Sequence, residues 1–283
     1  MKKQFLLISF ILTNFLCVNI QSFSAEVPKL RIISLAPSTT EILFALDLDE
    51  EIIGVSAFCD YPPKAREKEK VGTFSQPNIE RILSLKPDII FCTGLEQAPA
   101  VRELRQLNLK VYVSDPVNID ELFISIKDIA CLTHKEKEAE ELIKKMKVKI
   151  EEINSKIKLI PQEKRPKVFV EIWHDPLMTA GKDSFINELL ILAGGMNIAY
   201  DTKRPYSYFS PEQVIARNPD RIILGYMSGK DNQTKVGERF GWKGINAVKN
   251  NRVYNDINPD LFLRPGPRLT EGLEEIYKRL YPK

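Results

Sequence analysis

The chain is poor in the residues that hold metals and carry out covalent chemistry. Among 283 residues there are two histidines, His134 and His174, and four cysteines, Cys17, Cys59, Cys92 and Cys131. Two histidines cannot supply the three-ligand set of a common zinc site, and the cysteine spacings carry no metal signature. No GxGxxG, GxSxG or HExxH occurs, which argues against a dinucleotide fold, a nucleophile-elbow hydrolase and a zinc protease. PLMTAGKDS ends like a phosphate loop, but Pro176 stands where its first glycine is required. Charge of one sign is scarce as well. The 41 Lys and Arg against 38 Asp and Glu leave +3, without a nucleic-acid footprint.

A long clean apolar run is also missing. Phe5 to Ile20 is apolar but interrupted by Ser, Thr and Asn, short of the roughly 20 residues a membrane span needs. With Lys2 and Lys3 before it and Ser22, Ser24 and Ala25 after it, residues 1–25 read as a secretory signal peptide cleaved near Ser24 to Glu26. Leu16 is too large for a lipobox ahead of Cys17. Cleavage leaves 39 basic residues against 38 acidic ones and places the mature chain in the periplasm. That compartment permits disulfides; Cys59 and Cys92, both at ends of predicted strands, either pair or stay buried free thiols.

What is present is a globular balance, 43% hydrophobic and 28% charged, and one pattern stated twice. Residues 79 to 91 read IERILSLKPDIIF, and residues 211 to 224 read PEQVIARNPDRIIL. In each, an acid opens a short helix, Pro-Asp turns the chain, and an apolar run suited to a buried strand follows. Around the first copy, RIISLAPSTTEILFALDL predicts a strand from Ile32 to Leu35, a turn at Ala36-Pro37-Ser38, and a helix capped by Ser38 or Thr39 with Glu41 in its first turn. EIIGVSAF and Lys110 to Val113 predict further strands. Around the second copy, KVFVEIW predicts a strand, HDPLMTAGKDS a loop, and FINELLILAG a helix closed by Gly194-Gly195. NRVYNDI and LTEGLEEIYKRLY complete a second set. Strands alternating with helices imply an α/β fold of two Rossmann-like lobes with mainly parallel sheets, residues 26–132 and 161–283.

Between them lies the joint, residues 133–160. IDELFISIKDIAC forms one helix, and Thr133-His134-Lys135-Glu136 matches a capping box that would start the next. Ala139, Leu142, Ile143, Met146, Ile150, Ile153 and Ile157 then recur at three and four until Pro161. About 25 residues at 1.5 Å each make one long helix of roughly 37 Å, enough to bridge the lobes. A single helix crossing allows only small opening.

The loops carry aromatic surface. Phe58 and Tyr61, Phe74, Trp173, Tyr206 with Tyr208 and Phe209, and Phe262 between Asp260 and Arg264 follow strands or precede helices. In parallel α/β lobes this is the carboxyl edge, where ligands bind. Flat aromatic walls with an acid and an arginine suit a large planar ligand carrying amides or carboxylates. His174, in WHDP, is open to three readings: a loop residue without a special role, a ligand contact, or a metal ligand or base. His134 reads as a solvated surface residue.

RIISLAPSTTEILFALDL, VSAFCDYPPKA, NIERILSLKPDII, DPLMTAGKDSFINELLILAGGMNIA, SPEQVIARNPDRIIL and NPDLFLRPGPRLTEGLEEI together closely resemble the periplasmic cobalamin-binding protein family. These are solute receptors of ABC importers, two lobes bridged by one long α-helix, and the likeness spans residue 30 to the end. It implies a monomer without a cofactor of its own, with cobalamin or a related corrinoid as the transported ligand and a membrane permease as partner. The family's DYPP tyrosine matches Tyr61, its acid-to-arginine segment matches Asp260 to Arg264, and two cleft tryptophans match Phe74 and Tyr206. A further cleft tryptophan falls at Thr93, and the family's disulfide has no evident counterpart. Trp173 and Phe262 complete the expected ligand set. In this family one surface acid on each lobe meets arginines of the permease, and those acids match Glu80 and Glu212, at equivalent places in the repeated unit. The same fold serves haem and ferric siderophores, the alternative within binding proteins; a secreted α/β hydrolase is the alternative outside them.

Overall fold

A computed structural model describes residues 29–226 and 236–282; the expected signal peptide and Cys17 lie outside the described residues. The elements are β1 (Ile32–Ser34), α1 (Pro37–Ala45), β2 (Ile52–Val55), α2 (Ile79–Ser84), β3 (Ile89–Cys92), α3 (Ala98–Gln106), β4 (Val111–Val113), α4 (Ile119–Thr133) and α5 (Glu136–Ile157). The second half continues with β5 (Lys167–His174), β6 (Leu177–Ala180), α6 (Phe185–Leu192), β7 (Met196–Asn197), β8 (Tyr206–Tyr208), α7 (Pro211–Arg217) and β9 (Arg221–Leu224). It ends with α8 (Asn246–Lys249), β10 (Val253–Tyr254), α9 (Asp260–Leu263) and α10 (Leu269–Leu280). The N-terminal sheet is wholly parallel, in the order β2-β1-β3-β4. The C-terminal sheet runs β10-β9-β5-β6-β8, with β7 also on β5. Its β6 and β8 are antiparallel to their neighbours, so HDPLMTAGKDS and RPYSYFS, expected as loops, form part of the sheet.

The doubled sequence has a doubled geometry. Asp88 accepts the Arg31 amide at 2.7 Å and returns its own amide to the Arg31 carbonyl at 2.8 Å, tying the entry of β3 to that of β1. Asp220 does the same with Lys167, at 3.0 and 2.8 Å, tying β9 to β5. The residue before each Pro-Asp, Lys86 and Asn218, has φ of 46°, the left-handed turn that reverses helix into strand. Each Pro-Asp is thus a register lock at the amino edge of its sheet.

The 22-residue α5 is about 33 Å long at 1.5 Å per residue. It packs on α4 at one side and on α6 and α10 at the other. Its last turn seats on Gly194, where positive φ closes α6 and a Cβ would lie 2.5 Å from Ile157 Cδ1. Helix, both sheets and α10 share one apolar core. The capping box is not formed. Helix α4 continues through Thr133, whose hydroxyl bonds back to the Ile129 carbonyl at 2.8 Å, and the left-handed His134 ends it; Lys135 begins α5 without a side-chain cap. Across the joint, the Glu188 carboxylate of α6 accepts the Ile119 amide of α4 at 2.8 Å. Among the described residues no helix is long and apolar enough to cross a membrane.

Cys59 and Cys92 are free and buried rather than paired. The Cys59 thiol lies 3.0 Å from the Thr40 hydroxyl and 3.2 Å from that of Ser56. Burial pushes the Cys92 thiol up to about 12. Cys131 is exposed. Because the thiolate is the reactive form, a thiol reagent applied to the folded protein should label Cys131 quickly and reach Cys59 and Cys92 only in denaturant, as peptide mapping would show. Rapid labelling of Cys92 in the native protein would contradict this packing.

Candidate functional site

The carboxyl edges of the two sheets carry the loops that the aromatic residues occupy. On the N-terminal side, the 56–63 loop after β2 presents Tyr61, which is 41% exposed, beside Asp60. Half-buried Phe74 belongs to the next loop, whose carbonyl at that residue accepts the Gln97 side-chain amide at 2.8 Å. Buried Gln97 also donates to the Leu35 carbonyl and accepts the Thr93 amide, both at 2.9 Å, so one side chain fixes three edge loops together.

On the C-terminal side, a bulge between Glu171 and Trp173 re-aims the end of β5. Trp173 is 37% exposed, its indole nitrogen donates to the Asp175 carbonyl at 2.8 Å, and its ring stands beside His174, 5.4 Å between centroids. His174 in turn meets Tyr226 edge-on at 5.6 Å. Tyr206, on β8, is 45% exposed; burial and the negative charge of Asp115 from the other lobe push its hydroxyl up.

An ion-paired cluster joins the lobes beside Tyr61. Arg264 bonds Asp60 at 2.7 Å and Asp260 at 3.0 Å, and lies 3.5 Å from Glu41. Arg268 makes two bonds to Glu41, at 2.8 and 2.5 Å, and its guanidinium carbon sits 3.8 Å from the centre of the Tyr61 ring. Burial raises the Asp60 carboxyl, but the Arg264 bond and charge outweigh it and hold the group below its usual range. Asp260 is pushed up by burial against the pull of Arg264. Arg268 loses hydration, yet its bonds to Glu41 hold its proton more firmly than usual.

The expected residues thus divide. Tyr61, Phe74 and Trp173 lie on carboxyl-edge segments, Tyr206 stands at the amino end of β8 opposite Ala180, and Asp260 and Arg264 are in the inter-lobe cluster. Phe262 does not line the cleft: it is 2% exposed, with its ring packed beneath Gly225 in the core. Glu41 is not a first-turn acid near the helix dipole but the fifth residue of α1, buried against Arg268. Asp60 and Arg268 are the residues that sequence reasoning missed. Their signals were faint: an acid next to the matched tyrosine, and a basic residue in the PGPR turn. Glu80 and Glu212 stand at equivalent second positions of α2 and α7, exposed, behind the caps Asn78 and Ser210. Among the described residues no group of three or more His, Cys, Asp or Glu could hold a metal ion.

Two α/β lobes joined by one long helix, with an ion cluster tying one lobe to the other, have the architecture of a two-lobed solute receptor. The sequence pattern of the periplasmic binding protein family matches residues 32–258, and the chain belongs to that family. Its members are solute-binding proteins rather than enzymes, and this chain is a substrate-binding protein of an ABC transporter. An uncharacterized ABC transporter substrate-binding lipoprotein, YvrC of Bacillus subtilis (strain 168), is 37% identical over 260 residues, 90% of this chain and 81% of its own. A possible iron-binding (periplasmic solute-binding) protein from Staphylococcus epidermidis is 35% identical, with a TM-score of 0.77 over 89% of this chain and 98% of its own. The periplasmic vitamin B12 binding protein of Vibrio cholerae is 28% identical, with a TM-score of 0.74 over 88% of this chain and 96% of its own.

Proposed function

We propose that the protein is the periplasmic receptor that delivers cobalamin or a related corrinoid to an ABC importer. The observation that supports this reading is the residue set: partly exposed Tyr61, Trp173 and Tyr206, together with an inter-lobe ion cluster of Asp60, Asp260 and Arg264. A corrinoid offers a broad apolar macrocycle to such faces and a rim of amides to such charges. Its metal arrives already ligated by the macrocycle. The signal-peptide pattern of residues 1–25 and the vitamin B12-binding relatives support the same reading. The protein would supply no cofactor chemistry of its own.

A haem or ferric-siderophore ligand has in its favour the half-buried His174 at the end of β5 and the likeness to the possible iron-binding protein of Staphylococcus epidermidis. Calorimetric and absorbance titrations with cyanocobalamin and with haemin separate the two. The corrinoid should bind in a 1:1 ratio, and haemin should give no band shift of iron ligated by protein; the reverse pattern would overturn the assignment. Burying an aromatic ring contributes about 1.5 to 3 kcal/mol. Tyr61→Ala or Tyr206→Ala should therefore weaken corrinoid binding at least about tenfold. Unchanged affinity in both variants would remove these rings from the site.

Glu80 and Glu212 are the proposed permease anchors. Both begin helices at the carboxyl-edge level of their lobes, since α2 and α7 start where the chain has just left that edge. One acid per lobe matches a two-fold symmetric membrane partner.

A further inference from the structure

The two arginines of the 264–268 turn belong to the C-terminal lobe, where α9 packs on α6 and α10. Both reach acids of the N-terminal lobe. Arg268 goes furthest. Its guanidinium edge meets the buried Glu41 carboxylate of α1, and its face meets the Tyr61 ring at 3.8 Å. Between the two arginines, Gly266 lies close to α1: a Cβ there would stand in ordinary contact, 3.4 Å from the Ser38 carbonyl oxygen and 3.7 Å from Glu41 Oε2. A C-terminal side chain is thereby held between two N-terminal groups, a carboxylate along its edge and an aromatic ring on its face. Arginine suits this place because its planar fork bonds a carboxylate in two directions while leaving its face free to stack.

We infer that Arg268 is a positioning residue of the ligand cleft: anchored by Glu41, it holds the Tyr61 ring at a set angle and couples that angle to the relative placement of the lobes. Three observations lead here. Tyr61 is exposed enough to meet a ligand, yet among the described residues its ring has a charged neighbour on one side. That neighbour cannot turn away without giving up two bonds to a buried carboxylate. Arg264, four residues earlier, bonds Asp60, the residue next to Tyr61, so the same turn holds the tyrosine loop twice. Opening the lobes would withdraw both arginines and leave the ring unsupported; closing them would restore its face. Tyr61 thus reports whether the lobes are in register.

The inference rests on the reading that Tyr61 meets the ligand, and its test separates the two. The variant pair Glu41→Gln with Arg268→Gln removes both charges and leaves no buried ion alone; Arg268→Lys keeps the charge but loses the planar face. The first readout needs no ligand: in protein carrying ring-labelled tyrosine, with the Tyr61 resonance assigned by Tyr61→Phe, both variants should shift that resonance and speed its ring flips. The second is affinity for cyanocobalamin, expected to fall about tenfold in the Gln pair. It should fall no further when Tyr61→Ala is added than in Tyr61→Ala alone. A Tyr61 resonance that stays in place in both variants overturns the inference, as does an affinity loss that multiplies with that of Tyr61→Ala. A moved resonance with affinity indifferent to Tyr61→Ala would instead uphold the positioning and reject Tyr61 as a ligand contact.

Discussion

Glu80→Ala combined with Glu212→Ala should leave corrinoid affinity unchanged and abolish uptake. Both carboxylates are exposed and lie at helix starts, outside the cluster of Asp60, Asp260 and Arg264. Their removal takes nothing from the cleft. The local cost to folding is small, because the caps that satisfy the helix amides are Asn78 and Ser210, which remain; the Asn78 oxygen accepts the Arg81 amide at 2.9 Å and the Ser210 hydroxyl the Gln213 amide at 3.3 Å. Glu212 already has its carboxyl held low by the Ser210 hydroxyl, so it is charged and available at neutral pH. At an interface, truncating one member of a hydrogen-bonded charge pair costs about 2 to 5 kcal/mol. Two such losses would take a transient complex below the affinity at which it forms. Reconstituted importer is the measurement, with each single variant intermediate because one lobe keeps its anchor. Normal transport by the double variant would mean that the repeated acid serves only its helix.

That acid was legible because it belongs to a local pattern. A helix period, a Pro-Asp turn and a strand run can be read within 14 residues, and both copies fold as helix, turn and strand; the left-handed φ that Lys86 and Asn218 share is added by the structure. The bridging helix was legible for the same reason, since its apolar stripe persists over six turns. Its start was not, because a capping box competes with continuation of the preceding helix; here α4 ran on and Thr133 bonded backward. The antiparallel pairings of β6 and β8 were hidden by turn residues around short runs, where pairing of β6 with β5 and of β8 with β6 decides the outcome rather than propensity. Phe262 was misplaced because the alternation of exposed and buried positions cannot be read across a four-residue helix. Least legible were the ion pairs. Glu41 and Arg268 are separated by 227 positions, and nothing local selects one partner among so many charges. In the candidate site, therefore, aromatic residues could be read from loop position, but the charges that orient them could not.

Glu171→Ala should be the most destabilising single change in the C-terminal lobe outside its apolar core. Glu171 is 0% exposed at the bulge that ends the regular part of β5. It accepts the Tyr226 hydroxyl and two bonds from Arg239, at 2.6 and 2.7 Å, while the Arg239 guanidinium lies 4.6 Å from the Trp242 ring centre. One carboxylate thus ties the segment leaving β9 to the segment that returns at Val236. Burial and the Glu171 charge push the Tyr226 hydroxyl well above its usual range, so it stays a donor at any working pH. Without the carboxylate, the cation of Arg239 and that hydroxyl both lose their acceptor. Breaking a buried pair from one side costs roughly 3 to 5 kcal/mol, and because Arg239 is 17% exposed and can turn to water we expect about 2 to 4. For a chain of this size that is a fall in melting temperature of about 5 to 15 °C. Removing both charges, as in Glu171→Leu with Arg239→Met, should recover most of it, because an apolar pair leaves no ion without a partner. Thermal melts of the single and paired variants decide the matter: if the pair melts no higher than Glu171→Ala, the loss comes from the Tyr226 hydroxyl, which both variants leave without its acceptor, rather than from an unpaired Arg239.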